Sequence, residues 1–350
     1  MSVDVLVVGG GQAGLAAARA LGAAELDCRV YERRPRIGDC WRARFDSLVL
    51  FTSRAVSALP DLPHDGDGCG FPTKDEMGDY LERYAGHFRL PIVTGNGIER
   101  LRREGPLFAA ATDRGERVLA RAVVITTGTF QRPSVPSFAG RLAAAVQQLD
   151  AQSYRNPSSV AGANVVVVGD GATGRQIARE LAGERRVVLA MGRHRNFGPQ
   201  RILGRDTTWW ALRAGLLAAE EASIRGRLVR KLDATPGLHL RPAALLHAGV
   251  ELAPRCVAAD GDVLAFADGS RRRCDAVIWT LGYRDDTSWV DIPGAVGADT
   301  FVHERGAAPV AGLFYVGREW QTCRASGLIC GVGRDAASIA TRVREHLAER

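Results

Sequence analysis

Two charged residues of opposite sign, Glu32 and Arg193, stand at similar distances behind two glycine turns, and together they point to the chemistry of this chain. Gly9, Gly11 and Gly14 follow a β-branched run and open an alanine-rich stretch that begins with Gln12 and Ala13. Such a turn lets backbone amides at the positive end of a helix approach a pyrophosphate. Glu32, eighteen residues after Gly14 and flanked by Arg33, ends the next apolar run, where a carboxylate accepts hydrogen bonds from ribose hydroxyls. Gly169, Gly171 and Gly174, with Thr173 inside the turn, repeat the pattern, and Arg193 follows nineteen residues after Gly174. A 2′-phosphate is repelled by a carboxylate and paired by a guanidinium. The second turn is therefore expected to take NADPH, with His194 and Arg195 as assisting groups, and the first a dinucleotide without that phosphate.

The elements needed to position these residues are also legible. Val3 to Arg34 can be laid over Asn164 to Arg193, each a strand, a glycine turn, a helix and a second strand. Further strands are expected at Ala122–Thr126 and Ala276–Thr280, each ending in threonine shortly before a glycine, Gly128 and Gly282. This predicts an α/β protein of two Rossmann-like dinucleotide-binding domains, the second inserted in the first. The expected boundaries are 1–154 and 285–350 for the first domain and 155–284 for the second. Phe130–Pro136 and Arg155–Pro157 read as crossing segments, and Thr207–Leu232 as one or two amphipathic helices outside the repeat. A final strand from Gly312 and a helix from about Asp335 rejoin the first domain.

Bulk properties narrow the class. The 350 residues suffice for two cores, and 46% apolar with 24% charged residues is ordinary for a globular protein. No run is long enough for a membrane span and no leader pattern precedes the first strand, so a cytoplasmic protein is expected. The seven cysteines include no CxxC pair, which argues against a dithiol reductase, and the seven histidines show no metal-ligand spacing, so no metal is expected. The net charge of +7 comes almost wholly from arginines dispersed along the chain, which read as a solvated surface and not as a nucleic-acid site.

Taken together, the chain resembles the short bacterial flavin-containing monooxygenases over nearly its whole length. The resemblance is carried by GGGQAG (Gly9 to Gly14), Glu32, IGDCW (Ile37 to Trp41), RARFDSLVLFTS (Arg42 to Ser53) and FPTKDEMGDYLERYA (Phe71 to Ala85). It continues through TTGTFQRPSVP (Thr126 to Pro136), GDGATG (Gly169 to Gly174), GRDTTWW (Gly204 to Trp210), VIWTLGYR (Val277 to Arg284) and GLFYVGREW (Gly312 to Trp320). It implies FAD on the first turn, reduced by NADPH on the second. It further implies a flavin hydroperoxide that passes one oxygen atom to a small organic substrate, by heteroatom oxidation or a Baeyer-Villiger reaction. On the same resemblance Gly38 and Trp41 line the FAD, Ile98 touches adenine, Thr127 and Gly128 lie at the crossover, and Gly317 to Leu328 lie near the flavin ring. Thr52 in LVLFTS and Gly282 in VIWTLGYR are counted with the cofactor-binding residues.

Three places depart from the family pattern. The fingerprint F-x-G-x-x-x-H-x-x-x-Y falls on Ala144, Val146, Asp150 and Tyr154, the asparagine of many relatives aligns with Phe51, and the GGxW motif has Gly38-Asp39 as its first pair. An NADPH-dependent flavin oxidase or dehydrogenase is the alternative function, and a dinucleotide-sensing module without turnover is a third. Asp150 and Phe51 are the only catalytic candidates; Asp150 reads either as a proton-handling group or, the favoured reading, as a linker carboxylate. Trp209 and Trp210 read as packing before they read as a channel cover, and Cys40 as a small buried hydrophobe. The expected partners are a small-molecule substrate and dioxygen, with no nucleic acid and no membrane; a homodimer is the assembly left open.

Overall fold

The computed structural model describes residues 2–193, 195–232 and 234–349. The first sheet uses β1 (Ser2–Val8), β2 (Cys28–Glu32), β3 (Ile92–Thr94), β4 (Ile98–Glu104), β5 (Leu107–Thr112) and β6 (Arg117–Ile125). Val5, Leu6 and Val7 are buried on both faces, as a central parallel strand requires, and β1 pairs in parallel with β2 on one side and β6 on the other. β3 extends the sheet beyond β2, while β5 and β4 continue it antiparallel beyond β6. The strand Leu313–Tyr315 also pairs with β6, so the end of the chain does return to the first sheet.

Helices cover one face. α1 (Gln12–Ala23) presents Ala13, Ala16 and Ala17, small enough to lie close on β1, and the short α2 (Asp39–Arg42) rests on α3 (Lys74–His87). α3 starts where FPTKDEM predicts a start: Thr73 Oγ1 accepts from the Glu76 amide and Glu76 Oε2 accepts from the Thr73 amide. The C-terminal helix, Ile329–Ala348, packs beside α1. It begins six residues before the expected Asp335, because Gly331 has no Cβ to strike Ala325 O, which would lie 2.2 Å away.

The chain leaves this sheet through β7 (Arg132–Pro133) and returns through Tyr283–Arg284, and these two crossings pair antiparallel with each other. The second sheet has the order Glu251–Ala253, β10 (Arg186–Ala190), β9 (Asn164–Val168), Ala276–Trp279, β8 (Gln147–Asp150), all parallel. β8 lies within that sheet, and Leu142 and Val146 lie in its core. The first crossing therefore occurs at β7, about twenty residues before the expected boundary at 154. Arg155–Pro157 is an internal corner of the second domain, capped by Asn156 over the turn Pro157–Ser159. After α4 (Ala172–Leu181), a segment outside the βαβ pattern carries α5 (Thr207–Arg213) and α6 (Ile224–Leu232). Among the described residues no helix is long and apolar enough to cross a membrane.

Candidate cofactor site

In the first turn, Gly9 holds φ +105° and its amide donates to Tyr31 O at 2.8 Å. A methyl at Gly14 would stand 1.9 Å from Gly9 O, so the helix can approach the turn only without one. Gly11 is different: a Cβ there meets no protein atom within 4 Å, and Gly11 caps α1 without a side-chain partner for the helix amides. That open cradle at a helix N-terminus suits a pyrophosphate. Glu32 sits across from it, with Oε2 accepting from Gly10 N at 2.6 Å and Oε1 from Arg34 N at 2.8 Å. The carboxylate is thus aimed by backbone and keeps lone pairs for ribose hydroxyls.

Several residues singled out from sequence meet around this turn. Trp41 Nε1 donates to Gln12 Oε1 at 3.2 Å, and Gly317 packs so closely on Ala13 that an added methyl would lie 2.7 Å from its Cβ. Gly38 is buried against α3, where a side chain would strike Gly78 O at 2.2 Å, so its missing Cβ serves this packing. The Arg33 guanidinium reaches Ile98 O at 3.4 Å, joining the two at the outer end of β2. Thr52 shares a 2.7 Å hydrogen bond with Ser57. At the crossover, Gln131 Nε2 donates to Thr127 Oγ1 and Gly128 O, and its Oε1 accepts from Asp286 N on the returning chain. Gly282 O accepts from Ser134 N between the same two crossings, and Leu328 caps the C-terminal helix.

The second turn repeats the first. Gly169 holds φ +110° and donates to Ala190 O at 3.1 Å; a methyl at Gly174 would lie 2.0 Å from Gly169 O; Gly171 again faces open space and caps α4, with Thr173 in the first turn of that helix. The hydrogen bonds from Gly9 to Tyr31 and from Gly169 to Ala190 set the register between the units. By that register Met191 is the counterpart of Glu32, and Arg193 stands two residues further on, past the strand end. The carboxylate is therefore missing from the second unit and Arg193 lies in the loop beyond; His194 is outside the described residues.

Sequence reasoning missed the groups that hold both turns rigid. Thr126 Oγ1 lies 2.8 Å from both Val8 O and Gly9 O, and Thr280 Oγ1 lies 3.0 Å from Val168 O and 2.8 Å from Gly169 O. The repeated threonine at the end of AVVIT and AVIWT was the available signal. In the second turn Asp170, 4% exposed, accepts from Arg175 Nη2 at 3.1 Å and Gly192 N at 3.2 Å, and Arg195 Nε lies 3.6 Å away. Arg175 is itself buried and also donates to Leu240 O. One carboxylate beside two guanidiniums leaves this end of the second turn positive. In GRDTTWW the buried Asp206 accepts from Thr208 N and from Ser53 N, each at 2.7 Å, and so ties LVLFTS to α5. Arg318, next to Gly317, donates to Gly128 O at 3.2 Å and is paired with Asp285 in a cavity of about 390 Å³ that His303 also lines. Burial, aided by Arg318, holds the His303 imidazole below its usual range.

The two catalytic candidates lie in a turn and in a loop. Asp150 ends β8, and its Oδ1 accepts from Gln152 N at 2.8 Å and Ser153 N at 2.9 Å, an ordinary turn role. Phe51 is half-buried in its loop. Of the fingerprint positions, Ala144 is exposed, Val146 is core, and Tyr154 is buried with its hydroxyl on Glu180. Trp209 lies under Arg205 and Arg213 and edge-on to Trp210, which is 38% exposed. Cys40 is exposed, contrary to the buried position expected, because α2 lays its other side on α3.

Two Rossmann-like units, the second inserted in the first, with matching open turns define an oxidoreductase fold with two dinucleotide cradles. The chain belongs to the pyridine nucleotide-disulphide oxidoreductase family, whose pattern matches residues 6–201. It is 41% identical to a CzcO-like oxidoreductase of Geobacillus kaustophilus, over 98% of this chain and 99% of that protein. It is 25% identical to the indole-3-pyruvate monooxygenase YUCCA4 of Oryza sativa, over 99% of this chain and 89% of that one. Among solved structures, the flavin-containing monooxygenase of Stenotrophomonas maltophilia superposes with a TM-score of 0.80 at 26% identity, covering 99% of each chain. The bacillithiol disulfide reductase of Staphylococcus aureus, at 15% identity and a TM-score of 0.72, shares the fold.

Proposed function

We propose that this chain is a monooxygenase in which NADPH reduces bound FAD and one atom of dioxygen passes to a small organic substrate. The observation that carries this reading is the contrast between two otherwise equivalent turns. Each is closed by a threonine, but the first has Glu32 beside it, and the second lacks that acid, has Arg195 near Asp170 and is followed past its strand by Arg193. Bound flavin supplies the redox chemistry. The chain's own part is to hold and orient: the amides after Gly11 and the Glu32 carboxylate serve FAD, and the amides after Gly171 and the Arg193 guanidinium serve NADPH. The paired crossings β7 and Tyr283–Arg284 fix the two sites to each other. The absence of a CxxC pair argues against the dithiol chemistry in the family's description, and the monooxygenase resemblance spans the whole chain.

A second reading, an NADPH-dependent flavin oxidase or dehydrogenase, is favoured by one observation: Asp150 is a turn residue at the histidine position of the fingerprint of the monooxygenases that the chain resembles. Anaerobic reduction by NADPH followed by mixing with oxygenated buffer separates the two. Slow return of oxidised-flavin absorbance with little peroxide, and labelled oxygen in an added sulfide or ketone, supports the monooxygenase. Immediate reoxidation with one peroxide per NADPH refutes it.

A further inference from the structure

The helix α6 turns an apolar stripe outward. Ile224, Leu228 and Leu232 recur every fourth residue, so they align along one side of the helix, and they are 80%, 51% and 52% exposed. Arg227 and Lys231 flank the stripe on one side and Arg225 on the other. Helix α6 carries four basic residues and no acidic one. Arg230 is engaged by Glu221 and lies over Trp320, but among the described residues no carboxylate pairs with Arg225, Arg227 or Lys231. On the opposite side Gly226 is buried, and a methyl there would stand 1.9 Å from Glu220 O in the turn that leads into the helix.

An apolar stripe bordered by cations on an outward-facing helix matches the headgroup boundary of an anionic bilayer, where the side chains enter the acyl edge and the cations meet lipid phosphates and carboxylates. We propose that this face docks the protein reversibly on an anionic membrane surface, independently of the oxygen chemistry. Charge selects this occupant over a second copy of the chain, since two such faces would set three basic residues against three. The lack of a spanning segment is no obstacle, because an interfacial helix lies in the membrane plane.

The test is flotation of the FAD-loaded full chain with vesicles of phosphatidylcholine alone or with about one-third phosphatidylserine. Co-flotation is expected only with the anionic vesicles, and release is expected at about 1 M salt, where the screening length falls to about 3 Å. Leu228→Ser with Leu232→Ser should lower the bound fraction at least about tenfold. Arg225→Gln with Arg227→Gln should do likewise, and both pairs should leave NADPH oxidation unchanged. Equal binding to both vesicle types, no binding to either, or serine variants that float like wild type would overturn the proposal. So would a dimer in solution that the serine pair dissolves while the wild type ignores vesicles.

Discussion

Replacing Thr280 by valine keeps the shape of the side chain and removes one hydroxyl from the second glycine turn. That hydroxyl has a single proton, shared between Gly169 O at 2.8 Å and Val168 O at 3.0 Å. Val168 O retains the Thr280 amide at 2.8 Å, so the loss falls mainly on Gly169 O, the carbonyl that Gly174 approaches. A hydrogen bond of this kind contributes about 1 kcal/mol net, rising to about 3 kcal/mol if the acceptor is left bare. Because only the closed turn can receive a pyrophosphate, this free energy bounds the loss of affinity, between about fivefold and about a hundredfold in the Kd for NADP⁺. Calorimetric titration with NADP⁺ reads it, and flavin absorbance of the same sample should show full FAD content. Thr126→Val should give the mirror image, reduced FAD content with the NADP⁺ affinity of any loaded fraction preserved. If each variant lowers both cofactors alike, or neither variant lowers its own, the threonines are not independent latches and the reasoning is wrong.

Arg193→Ala should weaken NADPH about ten- to hundredfold while leaving NADH nearly unchanged, since a charge-assisted contact to the 2′-phosphate contributes about 1.5–3 kcal/mol; equal losses in Kd for both nucleotides would move the preference to another residue. Asp150→Asn should leave NADPH-driven flavin reduction within about threefold of wild type, because asparagine can still accept from the Gln152 and Ser153 amides; stopped-flow rates a hundredfold lower, about 2.7 kcal/mol of barrier, would show a catalytic carboxylate. His64 stacks on Tyr80 and burial lowers its pKa from 6.5 to about 4, so the unfolded chain takes up the proton first as pH falls. Stability should therefore decline between pH 6.5 and pH 4 by as much as about 3 kcal/mol, and in urea unfolding across that window His64→Phe should flatten the decline.

What the sequence by itself determined is local. The spacing Gly9, Gly11, Gly14 and its repeat at Gly169, Gly171, Gly174 specify where a positive φ, an open cradle and a close helix approach are needed, and these follow from the residues alone. Glu32 was readable for the same reason, since it lies one βαβ unit from its turn. What only the tertiary structure decided involves partners distant in the chain. Thr126 and Thr280 lock turns more than a hundred residues away because a strand order places each beside its turn. The switch from the first sheet to the second depends on β8 choosing its neighbour, which no local pattern encodes. Arg193 falls two positions beyond the counterpart of Glu32 because strand pairing, and not residue count, defines the register. The sequence reads Thr207–Leu232 as amphipathic helices, and only the structure shows that Ile224, Leu228 and Leu232 of α6 stay exposed. Periodicity tells which residues share a face, and packing alone decides what that face meets.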